Sequence, residues 1–176
     1  MGARTFLVSD THFGHRAMCS KEEDGSKIRH WDDPDKMDQD LIYLWNETVG
    51  PKDLVYHLGD VVINRRCLPT LGKLNGRKVL IKGNHDLFRD EEYKVYFEKI
   101  LAYHSMKNYL LSHMPVHPAS FDQRYLGNIH GHLHDKRVLD QEGEIDKRYY
   151  CVSIELTDWK PIAFDEVISK IEKERE

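Results

Sequence analysis

Short apolar runs alternate with longer amphipathic stretches along the first hundred residues. Three runs, rich in β-branched and aromatic side chains and stopped by polar turn residues, predict buried strands over residues 5–9, 54–58 and 78–82. The stretches between and after them predict helices over residues 35–48, 65–74 and 89–100. This β-α-β-α-β-α order favours a partly parallel sheet covered by helices.

The second half of the chain has a different pattern. Four short runs rich in Tyr, Ile, Leu and Val, separated by turn residues, predict strands over 101–106, 107–112, 125–130 and 149–156. We expect these strands to form a second sheet packed on the first. A last amphipathic helix is predicted over 164–171, with residues 172–176 as a charged, solvated tail. The charged, turn-rich segment 16–35 predicts a long surface loop, and such loops are often functional.

Length and composition fit one globular domain that spans residues 1–176. Hydrophobic residues make up 40% of the chain and charged residues 32%, and no apolar run approaches the roughly 20 residues that cross a bilayer. The N-terminus lacks the apolar segment of a secretory leader, and the three cysteines show no paired spacing. We therefore expect a cytoplasmic protein with reduced thiols and no membrane partner. The net charge of −4 speaks against a nucleic-acid partner without excluding one.

Polar side chains with metal-binding chemistry follow several of the predicted strands. They are Asp10, His12, Asp60, Asn84, His85, His113, His132 and His134. A common sheet would deliver them to one edge, where α/β folds bind their ligands. Carboxylates, an amide oxygen and imidazoles without a thiolate suit Mn²⁺, Fe, Zn²⁺ or Ni²⁺ better than Mg²⁺, Ca²⁺ or Cu(I). Taken singly, each motif is explained at least as well by an ordinary turn.

These side chains are numerous enough to hold two metal ions that share one carboxylate. Two ions roughly 3.5–4 Å apart clamp the attacking and leaving oxygens of an in-line displacement, and a water between them loses a proton near neutral pH to give a hydroxide nucleophile. One ambiguity concerns three alternate histidines. His130, His132 and His134 share a face of an extended strand, so the period alone does not select two of them.

Five motifs in chain order resemble the calcineurin-like metallophosphoesterase family. They are Asp10-x-His12, Gly59-Asp60, Gly83-Asn84-His85-Asp86, His113 and Gly131-His132-x-His134. The resemblance covers about residues 4–160 and includes the small, single-domain bacterial and phage-type members. It implies an α/β (α+β) four-layer sandwich, with two mixed β-sheets packed face to face and flanked by helices. It also implies a di-metal site at the C-terminal ends of the strands.

Carried over motif by motif, the resemblance assigns the first metal to Asp10, His12, Asp60 and His134. It assigns the second metal to Asp60, Asn84, His113 and His132, and Mn²⁺ is the favoured ion. His85 matches the catalytic histidine that assists the leaving group, and Asp86 would orient it. The Gly-His-x-His register leaves His130 as a neighbouring or core histidine.

Departures from better-specified relatives narrow the expected substrate. No Asp/Asn-Arg-Gly segment follows Gly59-Asp60, and Asp86 stands where the protein phosphatases have Glu. The core also uses nearly the whole chain, which leaves no cap or DNA-binding domain and indicates an open site. We therefore predict a di-metal phosphodiesterase for small or nucleotide-like phosphoesters, with nuclease or phosphomonoesterase activity as the alternatives. A binding scaffold without catalysis is disfavoured, because all the ligands and His85 are present.

Contacts to substrate are expected from outside the ligand set. His15 lies just after Asp10-x-His12, and Arg65 follows Asp60 closely enough to grip a phosphate, although a solvated helix N-terminus explains Arg65 more simply. Segment 16–35 includes Arg29 and Trp31, a basic and aromatic mixture that could stack a base and hold a phosphate. Its acidic residues nearly cancel that positive charge.

Overall fold

The fold is built from two main β-sheets and the helices that flank them. The computed structural model describes residues 2–23, 25–120 and 124–175. Its strands are β1 (Thr5–Val8), β2 (Glu22–Glu23), β3 (Ser26–Lys27), β4 (Leu54–His57), β5 (Arg77–Ile81), β6 (Lys99–Leu101), β7 (His104–Met106), β8 (Tyr109–Leu111), β9 (Gly127–His130), β10 (Tyr149–Cys151) and β11 (Ile162–Ala163). Its α-helices are α1 (Arg16–Ser20), α2 (Pro34–Thr48), α3 (Asp90–Tyr93) and α4 (Phe164–Arg175). Short 3₁₀ helices lie at Arg65–Lys73, Pro118–Ser120 and Ile154–Leu156.

Both main sheets are mixed. The first has the order β11-β1-β4-β5-β6, in which β1, β4, β5 and β6 are parallel and β11 is antiparallel to β1. The second has the order β10-β9-β8-β7, in which β8, β9 and β10 are parallel and β7 is antiparallel to β8. Strands β2 and β3 form a separate hairpin. Two mixed sheets with flanking helices confirm the predicted fold class.

Alternate residues of the first sheet point into two different cores, because successive strand side chains face opposite ways. Leu7 and Tyr56 lie in the core between the sheets, where they join Ile129 of the second sheet. Phe6 and Val55 face the other side and pack with α2, whose Leu41 is buried there. The sheets are joined at one end, where Ser9 forms an isolated parallel bridge with residue 153.

The structure reproduces the predicted long helix, and its start shows why the prediction works. The Asp33 side chain accepts a hydrogen bond from the backbone N–H of Asp35 at 3.1 Å, and Pro34 occupies the first helical position. The C-terminal helix is also present and is longer than predicted, so most of the expected tail is helical as well. Among the described residues, no helix has both the length and the apolar character needed to cross a membrane.

The predicted helix over 89–100 is wrong beyond its first turn. Only α3 is helical there, and the chain then enters β6. The pairing of β6 with β5 begins with a hydrogen bond from Glu98 N–H to Lys78 O at 2.8 Å. Tyr93 and Phe97 are buried at the helical spacing that prompted the prediction. They reach the core from one turn and the extended chain after it, because pairing a new strand beside β5 outweighs the local helical pattern.

The prediction of an irregular loop for segment 16–35 is also incomplete. The segment contains α1 and the β2–β3 hairpin, and two of its large side chains, Arg29 and Trp31, are buried. The predicted helix over 65–74 is a 3₁₀ helix with Pro69 inside it. In an α-helix the ring of this proline would clash with the carbonyl four residues earlier, that of Arg65.

Candidate metal centre

The carboxyl ends of parallel strands deliver the predicted ligands to one place. In the first sheet, Val8 pairs with His57 and His57 with Leu80, so the loops that follow β1, β4 and β5 start at the same edge. In the second sheet, Leu111 pairs with Ile129, which aligns the loops after β8 and β9 in the same way. Strand alternation and parallel order therefore bring side chains more than a hundred residues apart into contact.

The backbone of these loops is left-handed at five of the seven predicted ligands. Their φ angles lie between 49° and 73°, at Asp10, His12, Asp60, His132 and His134. Non-glycine residues rarely adopt this region, and such strain is concentrated at functional sites. The surrounding packing is equally tight, because a Cβ added to Gly131 would lie 1.8 Å from Ser9 Oγ and 2.6 Å from Asp10 Oδ2. Only glycine fits at this close approach.

We define the first ligand group as Asp10, His12 and His134, whose candidate ligand atoms lie within 4.8 Å of one another. Asp10 Oδ2 accepts hydrogen bonds from the His132 backbone N–H at 2.8 Å and from the Ser153 hydroxyl at 2.7 Å. Asp10 Oδ1 and His12 Nε2 are both buried and have no hydrogen-bond partner among the described residues. Burying two such atoms is costly, and a cation between them would satisfy both.

The second ligand group is Asp60, His113 and His132, whose candidate atoms also lie within 4.8 Å of one another. His113 Nδ1 lies 2.7 Å from Leu58 O, and a carbonyl only accepts, so Nδ1 carries the proton. His113 Nε2 then turns its lone pair toward Asn84 Oδ1 at 2.9 Å. Two acceptors at this distance repel unless a cation lies beside them. The predicted ligand Asn84 is thus in place next to the second group.

Asp60 belongs to the second group and also faces the first. Its Oδ2 is 3.6 Å from His12 Nε2, and its Oδ1 is 3.5 Å from His113 Nε2. Oδ1 also accepts a hydrogen bond from the His85 backbone N–H at 2.9 Å. A carboxylate with one oxygen toward each group has the geometry needed to bridge two cations.

The electrostatic environment favours the neutral forms of His12 and His132, and metal binding requires neutral imidazoles. Burial, reinforced by the nearby Arg29 guanidinium, lowers the pKa of His12 well below its ordinary value. Burial and the neighbouring His113 lower the pKa of His132. Oxygen and imidazole donors without sulfur fit a divalent transition metal, so the residues present suit the ions that the sequence predicts.

His85 and His15 lie beside the first ligand group. The His85 ring centroid is 5.7 Å from that of His12, in an edge-on arrangement. The His15 ring centroid is 5.2 Å from that of His12, and their Nδ1 atoms are 3.4 Å apart. Burial, followed by the charge of Arg29, lowers the pKa of His15. Both imidazoles therefore border the first ligand group, and their roles toward substrate stay predictions.

Asp86 is in contact with the site, but not in the predicted way. Its carboxylate accepts hydrogen bonds from the backbone N–H groups of Asp60, Val61 and Gly83 at 2.8, 3.0 and 2.8 Å. Among the described residues, Asp86 makes no hydrogen bond to the His85 imidazole. No direct contact therefore supports the expectation that Asp86 orients this ring. The buried carboxylate instead fastens together the loops after β4 and β5, which hold Asp60 and His85.

Arg65 and His130 are placed away from the ligand atoms. The Arg65 side chain is 61% exposed, pairs with Glu92 and lies over the Phe88 ring at 4.8 Å, so its role at the substrate stays a prediction. His130 is buried and its Nδ1 lies 2.7 Å from Gly131 O. Burial lowers its pKa to about 4, and it is in neither ligand group. The structure thus brings His132 and His134 together at the site, as the motif register indicates, and leaves His130 in the core.

Sequence reasoning missed two residues that contact the ligands. Glu155 Oε1 lies 3.0 Å from His134 Nδ1, and Ser153 bonds to Asp10 as described above. Both follow the apolar run over 149–152, so the strand-end rule that selected the other residues would also have selected them. The base-stacking role considered for segment 16–35 is wrong for Trp31, because this ring is buried against Trp159 and its Nε1 donates to Asp40.

A cleft of about 390 Å³ adjoins the second ligand group. It is lined by Lys82, Gly83, Asn84, Ala102, Ser112, His113, Met114 and Val116. The Lys82 ammonium is engaged by Asp90 at 2.9 Å and lies 5.8 Å from the Tyr93 ring centroid. The cleft therefore combines two predicted ligands with small apolar side chains.

Comparison with known proteins agrees with this geometry. The family model of the calcineurin-like phosphoesterases matches residues 3–169. The chain is 33% identical to the uncharacterized protein MJ1445 of Methanocaldococcus jannaschii, over 97% of this chain and 92% of that protein. It is 34% identical to the Gene 66 protein of Mycobacterium phage D29, over 77% of this chain and 81% of the phage protein. Among solved structures it is similar to AQ665 from Aquifex aeolicus, a protein of unknown function, with a TM-score of 0.69 and 26% identity over 96% of this chain and 99% of that one.

The fold, the two ligand groups and the family match together define a metal-dependent phosphoester hydrolase. The chain belongs to the calcineurin-like phosphoesterase family, which confirms the resemblance seen in the five motifs.

Proposed function

We propose that the protein is a di-metal phosphodiesterase that acts on small or nucleotide-like phosphoesters, with Mn²⁺ as the favoured ion. The observation behind this proposal is the position of Asp60, whose Oδ2 faces His12 of the first ligand group while its Oδ1 faces His113 of its own group. A shared carboxylate would hold two cations close enough together to act on one phosphate. When bound, the cations supply the nucleophile from water and offset the charge that develops on the phosphate.

The protein's own groups position the reactants. The protein holds His113 with its Nε2 lone pair toward the site, and it holds the loop of His85 through the bond from His85 N–H to Asp60. We assign His85 as the proton donor to the leaving oxygen, because its ring lies beside His12 at the edge of the first group. His15 lies next to the same ring and is the better-placed substrate contact of the two predicted ones.

The cleft beside Asn84 and His113 supports a diester rather than a monoester. A diester carries a second ester substituent, and Ala102, Met114 and Val116 offer that substituent an apolar wall. Among the lining residues the one lysine is already paired with Asp90, so the cleft does not offer a free cation to a second phosphate. A volume of about 390 Å³ falls in the range of small-molecule sites.

Matched substrates test the proposal. The metal-loaded protein should hydrolyse bis(4-nitrophenyl) phosphate faster than 4-nitrophenyl phosphate, which has the same leaving group. His85→Ala should lose roughly 10²–10⁴-fold in rate and keep the metal content of the parent, because His85 is in neither ligand group. Faster monoester hydrolysis would favour the phosphomonoesterase alternative. If the metal-loaded parent is inactive on every phosphoester, the remaining alternative is a binding scaffold without catalysis.

A nuclease is the second alternative. Incubation of the manganese-loaded protein with single- and double-stranded DNA and RNA would detect this activity directly. The net charge of −4 speaks against it, because proteins that bind nucleic-acid backbones are usually basic at the contact.

We further propose that the chain forms one phosphoesterase domain and works in the cytoplasm. The family match over residues 3–169 supports a single domain. Cys19, Cys67 and Cys151 are all free thiols, which is typical of a reducing compartment. Fractionation of cells that produce the protein would test the location.

A further inference from the structure

Arg29 and Glu155 form a buried ion pair directly behind the first ligand group. The Arg29 side chain is 0% exposed, and its Nε and Nη2 atoms lie 2.9 and 2.7 Å from Glu155 Oε1. The two residues are 126 positions apart in the chain. Buried ion pairs rarely stabilise a fold more than apolar residues of the same size would. Stability alone therefore does not account for this pair.

One end of the pair controls a ligand histidine. Glu155 Oε1 lies 3.0 Å from His134 Nδ1. The same oxygen accepts hydrogen bonds from the Arg29 guanidinium, so it is also the acceptor in its contact with His134. In this contact the His134 proton therefore lies on Nδ1, which leaves the lone pair on Nε2.

The other end supports the main chain of a ligand carboxylate. Arg29 Nη2 donates to Asp10 O at 2.6 Å, and Nη1 donates to Thr11 O at 3.1 Å. These carbonyls belong to the turn in which Asp10 has a φ of 59°. One guanidinium thus holds the strained backbone of Asp10 and, through Glu155, the ring of His134.

We propose that Arg29 and Glu155 are positioning residues that prepare the first ligand group for its cation. Arg29 fixes the Asp10 turn, and Glu155 selects the His134 tautomer that presents Nε2. Segment 16–35 therefore builds the metal centre through Arg29, in addition to any contact with substrate. This inference rests on the proposed function for the identity of the ligand, but its test does not need turnover.

Two double variants isolate the Glu155 hydrogen bond. Arg29→Met with Glu155→Leu replaces the ion pair by apolar residues of similar size, so that no buried charge is left alone. Arg29→Met with Glu155→Gln differs only at position 155 and keeps an oxygen that can accept from His134 Nδ1–H. The amide nitrogen of Gln takes the place of Glu155 Oε2, which is buried without a partner in the described structure, so it breaks no bond.

The first readout is the ¹⁵N spectrum of the imidazoles in metal-free protein. We expect His134 to carry its proton on Nδ1 in the parent and in the Gln variant, and to shift toward the Nε2-protonated form in the Leu variant. The second readout is titration with Mn²⁺. The Leu variant should bind one of the two cations about 10–100-fold more weakly, as loss of an outer hydrogen-bond partner usually does. The Gln variant should recover part of this loss.

A matched control separates positioning from general destabilisation. Asp53 is also a buried carboxylate, and it accepts backbone hydrogen bonds from Arg4 and Gly50 at the opposite end of β4. Asp53→Asn should lower the free energy of unfolding and leave both cation affinities unchanged. Unchanged affinities and an unchanged His134 tautomer in the Leu variant would overturn the inference. If the parent binds two cations but hydrolyses nothing, the proposed function fails and the inference stands. A parent that binds no divalent cation would overturn both.

Discussion

Replacement of Asp86 by Asn should weaken the fold and the site together. The carboxylate is 2% exposed and receives three backbone N–H groups, and the Tyr93 hydroxyl lies 3.4 Å away. An Asn side chain has one accepting oxygen. If that oxygen takes the place of Oδ2, it keeps the bonds from Asp60 and Gly83, and the amide nitrogen then faces Val61 N–H.

The expected cost follows from those contacts. One buried backbone donor loses its partner, which costs about 1–3 kcal/mol, and the two remaining bonds change from charged to neutral acceptors, which weakens each by about 1 kcal/mol. The lower desolvation cost of a neutral side chain offsets part of this, since burial raises the pKa of Asp86. We expect a net loss of about 2–4 kcal/mol, equivalent to a fall of about 5–15 °C in Tm for a chain of this size.

Urea unfolding of the metal-free variant would measure this loss. Asp165→Asn is the matched control, because Asp165 is exposed and pairs only with Lys107 at 2.9 Å in the described structure, and it should change stability by less than about 0.5 kcal/mol. We also expect kcat/KM of the metal-loaded Asp86→Asn variant to fall about 10–100-fold, because the loops of Asp60 and His85 lose their common anchor. A variant as stable as the parent but poorly active would refute the anchoring role and support direct orientation of His85.

Three further predictions concern the ligands, the cleft and the core. Asp60→Asn should reduce the binding of both metal ions, whereas His12→Ala and Asn84→Ala should each reduce the binding of one ion. Metal analysis of the three purified variants would measure this. Equal losses in all three would contradict a bridging role for Asp60. Ala102→Trp should fill part of the cleft and raise KM for bis(4-nitrophenyl) phosphate about tenfold. The KM for methyl 4-nitrophenyl phosphate, whose second ester group is small, should change less, and the metal content should stay the same. An equal change in KM for both substrates would show that the second ester group binds elsewhere. His57→Leu should flatten the pH dependence of stability. Burial lowers the pKa of His57 to about 3 from an ordinary 6.5, so the unfolded chain takes up a proton that the fold excludes, and stability falls as pH falls below 6.5. Urea unfolding between pH 4 and 6 should show a slope smaller by about 1.4 kcal/mol per pH unit in the variant, and parallel slopes would argue against a neutral His57.

Local patterns in the sequence predicted most of what lies at the strand ends. Asp10, Asp60 and Asn84 each follow an apolar run, and parallel pairing of those runs is enough to bring them to one edge. The same reasoning failed where a long-range contact decides the structure. The helical spacing of Tyr93 and Phe97 is real, but the pairing of β6 with β5 ends the helix after one turn.

The partners of the ligands were harder to predict than the ligands themselves. Arg29 lies in a charged, turn-rich segment and therefore looks like a surface residue. No local pattern around it predicts that its partner is Glu155, 126 positions away. The family motif places Asp86 directly after His85 and so predicts that Asp86 orients its neighbour. In the structure, two of its three backbone donors, Asp60 and Val61, are 26 and 25 positions away.

These partners have one role in common, which is to hold the left-handed backbone of the ligands in place. Outside glycine, Asp, Asn and His tolerate positive φ better than most residues, and they are also good metal ligands. Even so, each such residue costs about 1–3 kcal/mol and persists only where its surroundings enforce it. Arg29 and Ser153 hold Asp10, and Asp86 holds the backbone of Asp60. The buried polar groups around the site therefore maintain a backbone that would otherwise relax, and this is why we expect their loss to affect metal binding as well as stability.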